Sequence, residues 1–326
     1  MLSVNKTNQI EQKLTITVCI CTYNRSEKIA RLLTNIHNDL LIPENCQVDF
    51  LCVDNHSTDN TAEVIKRFQA NFIERGKLLS NDNYKLSYRH ESKQGLSHAR
   101  NCAIDETDSD WLIYTDDDVI LDKNWLLNYY NAILAVPADF YGGRILLNWL
   151  SPKPKWLLDE NMALLGGVLG KFDKGPATIQ FDKDGSPCGA NFAISRKLIQ
   201  RIGRFDSKLG VCGKRPGRGE ETDYFRRSIS QGATGFYCGN IICHHDALVE
   251  RLTTHYMLKH GFEKGRTEFL FGNKLPSGIL KKIEIAIKAF WQLIKGRKDL
   301  YLQGVINLGM MRGFNHAQKS YWFTTK

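Results

Sequence analysis

The sequence predicts an α/β fold in which a mostly parallel sheet is flanked by helices. Over the first 140 residues, short apolar runs alternate with amphipathic segments of helical length, which is the pattern of repeated β-α-β units. The run Trp111 to Thr115 leads directly into three aspartates, Asp116, Asp117 and Asp118. Adjacent carboxylates repel one another, so this arrangement predicts either a cation site at the end of a buried strand or a solvated acidic loop that caps the next helix.

Four strands are predicted in the first part of the chain. They are Thr15 to Thr22, Val48 to Val53, Leu86 to His90 and Trp111 to Thr115. Helices are predicted with Ser26 as N-cap, from Ser57 onward, over Leu96 to Ile104, and near Trp125. In such sheets ligands bind beyond the carboxyl ends of the strands, so we expect the polar residues after each strand to form one site.

The alternation becomes irregular after about residue 140. Strands are predicted at Gly142 to Leu146, Cys188 to Ile194 and Thr234 to Cys243, with helices at Arg196 to Ile202 and Glu220 to Ile229. From Leu248 the pattern is helical. The prediction is therefore a polar extension over residues 1–14, an α/β domain over 15–247 with a boundary near residue 140, and a helical extension over 248–326.

Composition excludes a wholly disordered chain. The 326 residues are 42% hydrophobic and 24% charged, as in a globular protein with one large domain and an appendage. The nine cysteines have no metal-binding spacing and are predicted to be free thiols in a reducing compartment. Because residues 1–13 lack the apolar core of a signal peptide and no apolar run is long enough to span a bilayer, the predicted location is the cytoplasm.

Basic residues crowd the C-terminal segment of this chain, whose net charge is +9. They predict an anionic partner there, and nucleic acid is not the predicted partner. Within residues 276–298, one helical stripe collects Leu280, Ile283, Ile287, Phe290, Trp291 and Ile294. Such a helix binds an anionic membrane surface at the inner face of the membrane, or docks on its own domain with a solvated lysine face. The sequence leaves both open.

The three aspartates have the residue type and spacing for a hard cation. Side chains alternate along a strand, so Asp116 and Asp118 are predicted to share one side while Asp117 points to the other. Carboxylates with no Cys or His beside them suit Mg²⁺ or Mn²⁺. Such a cation keeps open positions for substrate phosphates, which makes this a predicted diphosphate site.

Several ordered motifs between residues 15 and 272 resemble the family 2 glycosyltransferases, whose fold is the GT-A (nucleotide-diphospho-sugar transferase) fold. They are TVCICTYNR at 17–25, VDNHSTDNT at 53–61, QGLSHARN at 94–101, YTDDDVILDKNWL at 114–126, PCGANFAISR at 187–196, GRGEETDYFRR at 217–227 and HHDALVERLT at 244–253. Their order makes the resemblance more specific than any single motif. It implies an inverting enzyme that moves a sugar from a nucleotide-diphosphate donor, first of all a UDP-sugar, to a hydroxyl of a glycan or lipid-linked glycan. It also implies a nucleotide-binding half over 15–140 and an acceptor-binding half over 141–247.

The resemblance also assigns residue roles. It implies donor contacts for Thr22, Tyr23, Arg25, Asp54, Asn55, Arg100, Asp117 and Asn191, and metal contacts for Asp116, Asp118 and His245. The residues alone permit structural interpretations as well: Tyr23 can complete the core, Asp54 can cap a helix, and Arg100 can form a surface ion pair. One departure weakens the prediction of uracil recognition, because Asn55 replaces the second Asp of the family's usual pair and cannot form a charge-assisted bond.

A second acidic cluster, Glu220, Glu221 and Asp223, begins a predicted helix. The helix dipole alone could explain all three residues. The family pattern is Gly-Glu-Asp-any-Asp, so the resemblance implies Glu221 as the catalytic base, with Glu220 as the rival. The rival functions are a nucleotidyltransferase, which would favour a glycine-rich loop after the first strand, and a non-catalytic sugar-nucleotide or glycan-binding protein, which would need no base.

Overall fold

The computed structural model describes residues 13–78, 84–159, 162–183, 185–212, 219–275 and 278–324. Nearly all of the predicted N-terminal extension, residues 1–12, lies outside this part of the chain. So do residues 217 and 218 of the acidic motif, and residues 276 and 277 of the predicted amphipathic segment.

One nine-stranded sheet forms the centre of the described structure. Its strands are β1 (Leu14–Thr22), β2 (Cys46–Asp54), β3 (Lys85–His90), β4 (Trp111–Asp116), β5 (Val119–Leu121), β6 (Phe140–Trp149), β7 (Thr178–Gln180), β8 (Asn191–Ser195) and β9 (Gly235–Ala247). The order is β3-β2-β1-β4-β8-β6-β9-β5, and β7 pairs with β9. The predicted parallel pairing holds for β1 to β4 and for β6 with β9, whereas β8, β5 and β7 run antiparallel to their neighbours.

Ten α-helices surround the sheet or follow it in the described part of the chain. They are α1 (Ser26–Asp39), α2 (Thr61–Leu78), α3 (Leu96–Asp105), α4 (Trp125–Ala135), α5 (Met162–Leu169), α6 (Arg196–Ile202), α7 (Glu220–Ser230), α8 (Thr254–Leu270), α9 (Ile279–Ile294) and α10 (Lys298–Thr324). Among the described residues, no helix is both long enough and apolar enough to cross a bilayer.

The alternation of side chains along β1 builds a core on each face of the sheet. Ile16, Val18 and Ile20 are buried in one cluster with the apolar face of α1. Cys19 points to the other side, into a cluster with Ala99 of α3. All nine cysteines are free thiols, and five of them are buried.

Strand register brings the predicted site residues to one edge. Thr22 pairs with Asp54 across β1 and β2, and Cys21 pairs with Asp116 across β1 and β4. These pairs are the last of their ladders, so the polar residues that follow meet at the carboxyl edge of the sheet. The strand register thus brings the predicted site residues to the carboxyl edge of the sheet, where we expect the site.

The predicted N-cap at Ser26 and the predicted helix start at Ser57 are both wrong. Ser26 is the first residue of α1 and caps nothing through its side chain; its backbone N–H donates to Asp59 Oδ2 at 3.1 Å. Ser57 lies in a loop, where its N–H donates to Asp54 Oδ1 at 2.9 Å, and α2 begins only at Thr61. Serine and aspartate favour turns as much as caps, and here the turn prevails because Asp54 is anchored at the end of β2.

Three elements have no counterpart in the sequence-based prediction. The strands β5 and β7 are three residues long, too short to show an alternating pattern. The third element, α5, belongs to a separate apolar cluster in which Leu165 and Leu169 pack with residues of α8 and α10, among them Met257, Leu302 and Ile306. This cluster attaches the C-terminal helices to the remainder of the protein.

Candidate active site

A cavity of about 530 Å³ opens at the carboxyl edge of β1 and β4. Eleven of the thirteen predicted site residues line it: Thr22, Tyr23, Arg25, Asn55, Arg100, Asp116, Asp117, Asp118, Glu220, Glu221 and His245. Asp54 and Asn191 are absent from the lining. Residues that lie far apart in sequence therefore share one cleft.

The three aspartates separate as strand alternation predicts. Asp116 and Asp118 form a cluster with His245 in which one potential ligand atom of each lies within 4.8 Å of the others. Asp117 points elsewhere, where it accepts hydrogen bonds from Thr22 Oγ1 at 2.7 Å and Arg25 Nη1 at 2.6 Å. The alternative interpretation, a solvated acidic loop, is wrong because Asp117 and Asp118 are both buried.

The short strand β5 brings His245 to the aspartates. Val119 pairs with His245 across β5 and β9, and the backbone N–H of Asp246 donates to the Asp118 carbonyl at 3.1 Å. His245 Nε2 then lies 3.3 Å from Asp118 Oδ1. The neighbouring His244 faces away from the cavity and is absent from its lining, as expected for adjacent residues of a strand.

Nearby positive charges hold this acidic cluster together. Arg25 Nη1 and Lys28 Nζ each lie 3.2 Å from Asp118 Oδ2. Burial alone would raise the pKa of Asp118, but the hydrogen bond from His245 and the charges of His245, Arg25 and Lys28 bring that pKa well below its usual range. Burial and the charge of Asp118 raise the pKa of Asp116. Two neighbouring carboxylates, one buried and one half-buried, favour a cation between them.

The donor set of the cluster fits a divalent cation. It offers carboxylate oxygens from Asp116 and Asp118 and one imidazole nitrogen from His245. Carboxylates suit Mg²⁺ and Mn²⁺, and both ions leave coordination positions for phosphate oxygens. Within the described residues, His245 Nδ1 is buried without a hydrogen-bond partner, and Nε2 is the ring nitrogen that faces Asp118.

The first two motifs are joined by hydrogen bonds. Asn24, which has a positive φ of 51°, accepts from the backbone N–H of Thr58 at 2.7 Å. Its own N–H donates to Ser57 Oγ at 2.9 Å. This bridge holds the segment after β1 against the segment after β2, and it leaves the half-buried Tyr23 at the cavity wall.

Asp54 and Asn55 are already engaged by the protein. The carboxylate of Asp54 accepts from Ser57 N and from the Tyr88 hydroxyl, at 2.9 and 3.1 Å. Asn55 Oδ1 accepts from Gly95 N at 2.7 Å, and its Nδ2 donates to the Lys93 carbonyl at 2.8 Å. Asp54 thus organises the loop beneath the cavity, whereas Asn55 lies in the wall with one lone pair of Oδ1 left over.

Asn191 does not fit its predicted donor contact. The side chain is fully buried, and its Oδ1 accepts from Trp125 Nε1 and the Tyr129 hydroxyl at 2.9 and 2.8 Å. Its Nδ2 donates to the carbonyls of Arg144 and Ile241, each at 3.1 Å. All four hydrogen-bonding positions of the amide are used, so Asn191 connects β8 to α4, β6 and β9.

Arg100 forms a buried ion pair, and the surface interpretation of this residue is wrong. Its Nη1 donates to Glu220 Oε1 at 2.9 Å and its Nη2 to the Gly189 carbonyl at 3.3 Å. The guanidinium also lies over the rings of Phe192 and Phe205. Arg100 thereby ties α3 to α7 and to the loop before β8.

The two rival glutamates have different environments. Glu220 is buried and paired with Arg100, while Glu221 is half-buried at the cavity wall. Burial and the neighbouring carboxyl of Glu221 raise the pKa of Glu220 to about 8, although the charge of Arg100 opposes the shift. Glu221 is therefore the more accessible carboxylate of the two.

Replacing Glu220 with glutamine is expected to change how stability depends on pH. A carboxyl with a raised pKa contributes stability that is fully present below its ordinary pKa of 4.5 and is lost as the pH rises through about 8. Glutamine does not titrate, so Glu220→Gln should gain stability relative to the wild type by a few kcal/mol between these values. Urea denaturation over a pH series measures the difference. Replacement of the exposed Glu27 with glutamine is the control. If the unfolding free energies of Glu220→Gln and the wild type differ by the same amount at every pH, the raised pKa of Glu220 is contradicted.

Sequence reasoning missed part of the cavity wall. Arg251 and Tyr256 line it from the segment after β9, and Gly167, Val168 and Gly170 line it from α5 and its C-terminal end. Arg251 lies inside the motif at 244–253, so its motif position was a usable signal. The α5 residues carry no such signal, because they reach the cavity only through tertiary packing.

Comparison with known proteins shows the family of this chain. The model of the family described as Glycosyl transferase family 2 matches residues 17–203, which is more than half of the 326 residues. The chain belongs to this family. It is accordingly a glycosyltransferase, as the motifs predict. The matched range includes Asp116 and Asp118, whereas Glu221 and His245 lie beyond it and reach the cavity through α7 and β9.

Similar proteins support the same assignment. The succinoglycan biosynthesis protein ExoM of Rhizobium meliloti (strain 1021) is 23% identical to this glycosyltransferase over 257 residues, which cover 78% of this chain and 74% of ExoM. Abequosyltransferase RfbV of Salmonella typhimurium is 29% identical over 156 residues, which cover 45% of this chain and 42% of RfbV. The chain therefore spans less than half of the length of RfbV.

A solved structure confirms the predicted GT-A fold. Mannosyltransferase PcManGT from Pyrobaculum calidifontis, in complex with GDP-Man and Mn²⁺, superposes with a TM-score of 0.57. The two chains are 17% identical, and the match covers 93% of this glycosyltransferase and 88% of PcManGT. At this identity the likeness establishes the common fold.

Proposed function

We propose that this glycosyltransferase inverts the anomeric centre of a sugar that it takes from a nucleotide-diphosphate donor. The main observation that supports this proposal is that Glu221 lines the same cavity as the cluster of Asp116, Asp118 and His245. A base and a diphosphate site that face one cleft suit a single displacement. The acceptor oxygen bonds to the anomeric carbon, the bond from that carbon to the diphosphate breaks, and the acceptor proton passes to a Glu221 oxygen.

Asp116, Asp118 and His245 would hold the divalent cation, Mn²⁺ or Mg²⁺. When bound, the cation would supply Lewis-acid stabilisation of the departing diphosphate. The chain itself adds positive charge at the same edge, through Arg25 and through the buried guanidinium of Arg100. Charges already fixed in place lower the barrier because they do not have to reorient during the reaction.

The donor is proposed to be a UDP-sugar. Tyr23 offers a ring for stacking on the base, and the remaining lone pair of Asn55 Oδ1 can accept from a uracil imide N–H. Thr22 and Asp117 hold Arg25 in place beside the diphosphate position, since Asp117 bonds to both. Asp54 supports this arrangement from beneath, through the loop after β2.

The acceptor is proposed to be a hydroxyl of a glycan or a lipid-linked glycan. The name of ExoM, a succinoglycan biosynthesis protein, supports a glycan. We propose that residues 15–247 form the catalytic domain, with the nucleotide bound by 15–140 and the acceptor by 141–247. Residues 1–14 and 248–326 are the proposed extensions.

A panel of nucleotide sugars tests the proposal. We expect one donor to release nucleoside diphosphate in the presence of Mn²⁺ or Mg²⁺, with little release after the metal is removed by chelation. A proton NMR spectrum of the product should show the opposite anomeric configuration to that of the donor. Binding without turnover of any donor would favour a sugar-nucleotide-binding protein, and release of inorganic pyrophosphate from a nucleoside triphosphate would favour a nucleotidyltransferase.

A further inference from the structure

Helix α9 presents a continuous apolar stripe to solvent. Leu280 is 80% exposed, Phe290 58% and Trp291 55%. The stripe is completed by Ile279, Ile283, Ile287 and Ile294, all of them exposed. Single exposed apolar side chains are ordinary, but a patch of this extent on one helix marks a surface that binds something.

The opposite side of α9 makes the contact with the protein. Ala289 is the buried residue of this helix, and it packs closely against Gly304 of α10. At 100° per residue, Ala289 lies on the far side of the helix from Ile287 and Ile294. α9 therefore docks on its own protein, as one of the two interpretations predicts, but only through the narrow face around Ala289. That contact leaves the apolar stripe uncovered.

Basic side chains flank the stripe. Lys281 and Lys288 lie along one border, where both pair with Glu284 at 2.9 and 2.6 Å. Lys295 follows the same border one turn later, and Lys282 lies on the side nearer α10. Neither Lys282 nor Lys295 pairs with a carboxylate in the described part of the chain. An apolar band with this basic border is the arrangement of helices that lie in a membrane interface.

We propose that α9 is a docking element for an anionic lipid bilayer, in which the stripe enters the interface and the lysines contact headgroup phosphates. The alternative occupant is a second copy of the chain. A two-fold interface would place identical surfaces against each other and would bring the basic borders of both copies together, which costs free energy through repulsion. A bilayer with anionic headgroups instead complements both features. The inference goes beyond glycosyl transfer, because no residue of α9 lines the cavity.

The fold connects this surface to the cavity. α9 packs on α10, and α10 packs on α8 and α5. Tyr256 of α8 and Val168 of α5 both line the cavity. A bilayer bound at α9 would therefore hold the cavity near the membrane. The proposal that the acceptor is lipid-linked gains support from this connection, and that part alone rests on the proposed function.

Liposome co-sedimentation of the full-length protein tests the docking surface. We would compare vesicles of phosphatidylcholine with and without about 30% phosphatidylglycerol, each at low and at high salt. The wild type should bind the anionic vesicles strongly at low salt and more weakly at high salt, because salt screens the lysines. Phe290→Ser with Trp291→Ser should lower the partition coefficient by about tenfold or more, and Lys282→Gln with Lys295→Gln should act similarly at low salt only.

Matched controls separate surface chemistry from stability. Ile73→Ser with Leu134→Ser removes exposed apolar groups from α2 and α4, and Lys197→Gln with Lys208→Gln removes exposed charges elsewhere. Both control variants should bind as the wild type does. Equal binding by all variants, or no binding by the wild type, would overturn the proposal, as would a dimer that dissociates in Phe290→Ser with Trp291→Ser and binds no vesicle. Donor turnover in solution should be unchanged in every variant. Loss of turnover in a variant would show that the variant is misfolded. Absence of turnover in the wild type would contradict the proposed reaction and not membrane docking.

Discussion

Replacing Glu221 with glutamine is expected to lower kcat by about 10²-fold or more, the usual contribution of a general base. Glutamine keeps the shape of the side chain but cannot accept the acceptor proton. Donor affinity should hardly change, because Glu221 contacts the acceptor side of the reaction in the proposed mechanism. Single-turnover kinetics and a titration with nucleoside diphosphate measure the two quantities separately.

The matched control for this variant is Glu220→Gln. Glu220 is buried and its carboxyl is engaged by Arg100 at 2.9 Å, so its replacement should alter stability and its pH dependence more than the chemical step. If Glu220→Gln instead shows the large loss of kcat while Glu221→Gln stays near the wild type, the two roles are exchanged.

Replacing Asp118 with asparagine is expected to abolish metal-dependent turnover, with a loss of about 10²-fold or more. The substitution removes one of two anionic ligands while keeping the side-chain volume, so the fold should persist. Isothermal titration with Mn²⁺ should show a weaker affinity that matches the loss of activity, and circular dichroism checks the fold.

Asp108→Asn is the control, because this carboxylate is exposed and lies outside the cavity. It should bind Mn²⁺ and turn over donor as the wild type does. Wild-type rates for Asp118→Asn at limiting Mn²⁺ would show that the metal is held elsewhere or is not required.

Local sequence was sufficient for the elements whose apolar pattern is long and regular. The boundaries of α6 were predicted to the residue, and those of α3, β1 and β4 within one residue, because a buried face imposes its periodicity on the sequence. Helix starts were less predictable. Ser26 and Ser57 have the side chain of an N-cap, but their own N–H groups donate to Asp59 and Asp54, and neither side chain caps a helix.

Asn191 shows why a motif can place a residue correctly and still mislead about its contacts. The residue lies at the start of β8, as its motif position suggests. Its four partners, Trp125, Tyr129, Arg144 and Ile241, come from segments up to 66 residues away in sequence. A buried amide takes whichever partners the packed chain supplies, and no local pattern records which those are.

The sequence by itself determined the strand that ends in Asp116, the family, and the apolar stripe of α9, since each depends on short local patterns or on the order of such patterns along the chain. Tertiary structure alone decided that His245 joins Asp118 through β5, that Arg100 bonds to Glu220 while Glu221 stays at the cavity wall, and that α9 docks through Ala289 with its stripe exposed. These outcomes depend on strand register, burial and the competition among distant partners. Those quantities exist only after the chain has folded.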